Sequence, residues 1–118
     1  MLPIYVTDTH CLLWYLSDNP KLSAAARQAF DEGSRGQAKI IVPVIVIAEL
    51  IFLVERGREQ IDVEQIIRKI NAHPFFEINP LGLEQIMCLQ TETAIPEMHD
   101  RMIVCEAILN GARIITKG

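Results

Sequence analysis

Hydrophobic positions change their period sharply near the start of the chain. Ile4, Tyr5 and Val6 form a short β-branched and aromatic run that ends in Thr7-Asp8-Thr9. Apolar residues return at Leu12, Leu13 and Leu16, at helical spacing. The pattern predicts a buried strand, a tight turn and a helix. In open α/β sheets, ligand sites gather just outside the carboxyl ends of strands, and Asp8 sits at such an end. Asp is also a common helix N-cap, so both roles stay open for it.

The rest of the chain repeats this rhythm. Ser17-Asp18-Asn19-Pro20 is a turn signal, and Ser23 is placed to cap a second helix over 24–31. Gly33-Ser34-Arg35-Gly36 reads as the loop that ends it, and 39–42 as a second buried strand. Pro43 cannot donate to a strand ladder but suits the first position of a helix, so a third helix is predicted over 44–56 with Gly57 as its stop. Asp62 and Gln65 have capping-box spacing before a helix over 63–71, which His73-Pro74 ends. A third strand over 75–78, helices over 83–92 and 100–110, and a fourth strand over 113–116 complete the reading. Short strands separated by helices imply parallel pairing through crossovers. The predicted fold is a three-layer α/β/α sandwich with a mostly parallel sheet.

The chain has 118 residues, half of them hydrophobic, which fits one domain with a sizeable core. No apolar run reaches the ~20 residues of a membrane helix, because Pro43 and Glu49 interrupt the best candidate. The N-terminus lacks the basic segment of a secretory signal. Three scattered cysteines read as reduced core thiols in a cytoplasmic protein, without the ligand spacing of a zinc site. A net charge of −4 argues against binding nucleic acid through a broad basic surface. It leaves room for a nuclease whose site is neutralised by metal.

Three acids interrupt apolar stretches: Asp8, Glu49 and Asp100. On a helix, Glu49 shares a face with Ile45, Phe52 and Leu53, and should point at the core or a cleft. A structural pairing with Arg56 or Arg58 is the competing reading. Asp100 opens its predicted helix and would also serve as a cap. Two ionised carboxylates ~5 Å apart repel by roughly 3 kcal/mol at an effective dielectric of 20. If the three acids converge, a cation or protonation is needed to hold them together. Hard oxygen donors suit Mg²⁺ or Mn²⁺, and such a site implies phosphodiester hydrolysis. Glu106 lies six residues past Asp100, about 120° around the helix, and reads as a helix-face charge. Arg101 reads as a solvent ion pair or a contact to substrate phosphate. His10 and His99 neighbour the acids, and Trp14 reads as helix packing.

Three segments, V-T-D-T-H-C-L-L-W, V-P-V-I-V-I-A-E-L-I-F-L-V-E-R-G-R and H-D-R-M-I-V-C-E-A-I-L-N-G-A-R-I-I-T-K, resemble the PIN-domain ribonucleases. They are most similar to the VapC-like toxins of toxin–antitoxin modules. The resemblance implies an α/β/α sandwich, a divalent metal held by acids, and endonucleolytic cleavage of RNA. It also implies a homodimer and a protein antitoxin that reaches into the site. The family's acids fall on Asp8, Glu49 and Asp100, with Thr7 or Thr9 supplying a hydroxyl and Thr116 another at the edge. The family usually carries a fourth acid where Gly118 stands here, and a last strand beyond it. The chain is therefore expected to be a single PIN-like domain without that strand. The alternative is a catalytically weakened module that binds RNA or a partner. A domain using Asp8 as a phosphoacceptor is a third reading, weakened by His10 where a phosphatase of that type would carry a second Asp.

Overall fold

In a computed structural model, residues 1–57 and 59–116 are described. The strands are β1 (Ile4–Thr7), β2 (Lys39–Pro43), β3 (Phe76–Asn79) and β4 (Arg113–Ile115), and the helices α1 (Thr9–Leu16), α2 (Ala24–Ser34), α3 (Val44–Glu55), α4 (Val63–Ala72), α5 (Leu83–Leu89) and α6 (Met98–Asn110). All the described strand pairs are parallel, in the order β3-β2-β1-β4. The expected α/β sandwich is present. The chain steps outward from β1 to β2 to β3, then returns to the other side of β1 for β4. The switch point therefore lies between β1 and β4, where open parallel sheets form crevices. The Asp8 amide donates to the Ile115 carbonyl at 3.0 Å and locks the two strand ends together.

Several element ends differ from the sequence expectation, each for a local reason. Helix α2 runs through Gly33 instead of ending before it. A Cβ there would lie 2.7 Å from Phe75 Cδ2 and 2.9 Å from Ile40 Cδ1, so glycine is used for close packing. The helix ends instead at Ser34, and Gly36, whose φ is +73°, turns the chain beyond its Arg35 cap. Pro43 is the last residue of β2, opposite Asn79, and the N-cap of α3, rather than its first helical residue. Helix α5 stops at Leu89, short of 92. The Thr91 hydroxyl and amide both donate to the Cys88 carbonyl and turn the chain away. Helix α6 starts at Met98, ahead of Asp100, because Glu97 caps it through the Asp100 amide at 2.7 Å. Gly111, with φ +60°, closes it in the left-handed conformation.

The core joins the inner faces of β1 and β2 to α1, α2 and α4, with Val6, Leu12, Phe30, Ile40, Val42 and Ile70 at 0–1 % exposure. Trp14 packs against it as expected, and Cys11 and Cys105 are buried thiols. Cys88 is only half-buried. No described helix is long and apolar enough to cross a membrane.

Candidate active site

A cavity of about 430 Å³ opens at the carboxyl ends of β1 and β4, lined by Asp8, Thr9, His10, Glu49, Glu97, Asp100, Ile103 and Thr116. Four elements or their ends contribute: the β1–α1 turn, α3, the start of α6, and the residue after β4. The two places the sequence left open for Asp8, at a helix cap and at a strand-end cavity, do not exclude one another. Asp8 caps α1, with Oδ1 accepting from the Cys11 amide at 2.8 Å, and it lines the cavity. The cap fixes the carboxylate at the strand end, since a side chain tied to its own helix cannot swing freely.

Thr9 and Thr7 separate. Thr9 is buried, and its hydroxyl donates to Glu49 Oε1 at 2.5 Å across the α1–α3 junction. Thr7 is also buried but donates to the Asp8 carbonyl and does not line the cavity. Glu49 is thus held by a hydroxyl and not by Arg56, which lies over the Phe52 ring at 5.9 Å. The helical face expected for Glu49 is split: Leu53 is buried, whereas Phe52 is exposed. Asp100 is exposed, in the first turn of α6.

Glu97 is the cavity acid that the sequence reading passed over as a site residue. Burial pushes its carboxyl upward, but hydrogen bonds from Asp100 and His99 outweigh this and hold it below its ordinary value. His99 Nδ1 sits 2.9 Å from its Oε1. The available signal was an acid three residues before Asp100, at cap spacing.

Two secondary candidates are elsewhere. Arg101 makes neither a solvent ion pair nor a cavity contact among the described residues. Its Nε donates to the Ile95 carbonyl at 2.6 Å and Nη1 to Leu89 at 3.2 Å, so it ties the 90–97 loop and the carboxyl end of α5 to α6. A cation there is favoured by the exposed carbonyls of a helix end. Glu106 is not a helix-face charge but is 3 % exposed. Amide groups of Asn79, Gln85 and Asn110 donate to it at 3.5, 3.0 and 2.9 Å, joining the end of β3, α5 and α6. The expectations placed on Arg58, Lys117 and Gly118 lie outside the described residues.

A sequence profile of the PIN domain matches residues 5–118. The chain belongs to the PIN domain family. No curated protein sequence matches it. Among solved structures, a chain of VapBC2 from Rickettsia felis, bound to a DNA fragment from their promoter, superposes with a TM-score of 0.66. The two are 18 % identical, and the match covers 94 % of this chain and 85 % of that one. This likeness is one of fold. Members of the PIN family are generally nucleases, which makes the cavity acids of this PIN domain the natural place to look for hydrolytic chemistry.

The donor set suits a hard divalent cation: four carboxylates and two hydroxyls, with no thiol and no lysine or arginine lining the cavity among the described residues. The side chains do not close into a finished cage. Among the described residues, no group of three or more His, Cys, Asp and Glu side chains is close enough to hold a metal ion as it stands. Mg²⁺ tolerates such an open arrangement, because it keeps several of its waters and takes only one or two carboxylates directly.

Proposed function

We propose that this PIN domain is a Mg²⁺- or Mn²⁺-dependent endoribonuclease and the toxin of a toxin–antitoxin pair. The observation that carries the reading is the one cavity lined by Asp8, Glu49, Glu97 and Asp100 at the sheet's switch point. Asp8, Glu49 and Asp100 are the residues that would hold the metal. When bound, a divalent ion neutralises phosphate oxygens and acidifies a water for in-line attack. The chain's own residues do the positioning. Asp8 is fixed by its cap to Cys11, and Glu49 by the Thr9 hydroxyl. Asp100 faces water, where an RNA backbone can approach. Thr116 offers a hydroxyl at the rim. The acidic cavity repels RNA unless cations are present, so binding and metal dependence go together.

The fold neighbour's pairing as VapBC2 supports a protein antitoxin for this chain, and a cytoplasmic homodimer belongs to the same reading. The deciding experiment is cleavage of structured RNA with Mg²⁺ or Mn²⁺ by the wild type, Asp8→Asn and Glu49→Gln. Each substitution should lower the rate ~100-fold or more with circular dichroism unchanged. Cleavage that survives chelation or either substitution defeats the proposal. RNA binding without cleavage under either metal would favour the binding-module reading instead.

A further inference from the structure

Helix α5 has no buried residue and packs mainly on α6. Two hydrogen bonds set the register between them. Arg101 of α6 reaches the Leu89 carbonyl, and Glu106 of α6 takes the Gln85 amide. Cys105 and Cys88 fall between these two ties, near enough for the Cys88 thiol to act on the Cys105 thiol. Cys105 is fully buried, whereas Cys88 is half-buried, so one thiol is sheltered and its neighbour is reachable from solvent. The third cysteine, Cys11, is buried on α1 and takes no part in this pair.

We propose that Cys88 and Cys105 are a redox-responsive pair that closes into a disulfide between α5 and α6 on exposure to a peroxide. Cys88 Sγ attacks one peroxide oxygen; an S–O bond forms as the O–O bond breaks, and the leaving oxygen departs as water. Cys105 Sγ then displaces the sulfenic hydroxyl as a second water and forms the S–S bond. The two thiols together lose two electrons and two protons, and one hydrogen peroxide becomes two waters. Burial, and then the neighbouring Cys88 thiol, push the Cys105 thiol up to about 12, so Cys105 waits protonated as the second partner. The ring closed by the bond contains Glu97 and Asp100, so oxidation would also tether the segment that brings two acids to the cavity.

The test treats the full chain under native conditions with hydrogen peroxide, then unfolds it, alkylates free thiols and maps non-reduced peptides. The wild type should lose the mass of two hydrogen atoms as a monomer, yield a linked 88–105 peptide, and keep Cys11 alkylatable. Cys11→Ser should behave alike, and Cys88→Ser should give no linked peptide and retain its remaining thiols. Three alkylatable thiols after oxidation of the wild type overturn the proposal. So does a Cys88 carried on to sulfinic acid without a partner, or a Cys88–Cys88 link between chains. Cys88 is partly exposed, so its serine variant should fold even if Cys105→Ser does not.

Discussion

Replacing Thr9 by valine removes one oxygen from the candidate site and keeps its shape. Thr9 is 2 % exposed, and its hydroxyl donates to Glu49 Oε1. A hydrogen bond to a charged acceptor contributes about 1.5–3 kcal/mol. Two features reduce the loss on substitution. Glu49 is half-buried and can turn toward cavity water. The valine methyl also strands no donor of its own. The expected loss of stability is therefore only about 1 kcal/mol. If the proposed function holds, activity should fall further, because removing a group that orients a ligating carboxylate typically costs ~10–100-fold. Thr9→Ser is the matched control. It keeps the hydroxyl and loses one buried methyl, also worth about 1 kcal/mol. The two variants should thus agree in urea denaturation and differ at least tenfold in initial rate of RNA cleavage, by the same ~10–100-fold argument. If Thr9→Val cleaves within about twofold of Thr9→Ser, the hydroxyl does not position Glu49 and the reasoning fails.

Three other outcomes follow from the structure. Gly33→Ala should gain about 1 kcal/mol of helix propensity but lose about 1–3 kcal/mol to overpacking, since a Cβ there would lie 2.7 Å from the Phe75 ring and 2.9 Å from the buried Ile40 side chain. A thermal melt at or above the wild type would refute that balance. Glu106→Ala should cost about 3 kcal/mol in urea denaturation, because it removes a buried acceptor shared by three amides, with Asn110 still satisfied by the Glu106 carbonyl at 2.8 Å; a loss under about 1 kcal/mol would show the network to be idle. Glu97, held below its ordinary value of 4.5, contributes stability that is complete above that pH and is lost as pH falls through its lower folded value. Glu97→Gln should flatten that part of the acid limb of the stability curve, and an unchanged slope would remove Glu97 from the account.

The fold was legible because its signals are local. A short β-branched and aromatic run before Asp8 and a period of three to four after it mark β1 and α1 within a dozen residues. Ser23, Asp62 and Gly111 punctuate helices through their own side chains or backbone freedom. Where the reading slipped, the deciding contact came from far along the chain. Gly33 looks like a helix stop until Phe75 and Ile40 arrive against it. Glu106 looks like a surface charge until β3 and α5 bring Asn79 and Gln85 to meet it. Arg101 looks free until the loop it ties has folded around it.

The candidate site divides along the same line. Asp8, Glu49 and Asp100 are conspicuous because a carboxylate in an apolar stretch is costly unless something outside the stretch compensates it. Sequence can therefore flag the acids, but not what compensates each one. In the structure the answers differ: a backbone amide for Asp8, a threonine hydroxyl for Glu49, and water for Asp100. Those separate anchors explain why the acids line one cavity without collapsing into a cluster that repulsion would punish. A site built this way needs no cation to hold its carboxylates apart. On the proposed function, the gap between its carboxylates is left for an ion that brings its own water.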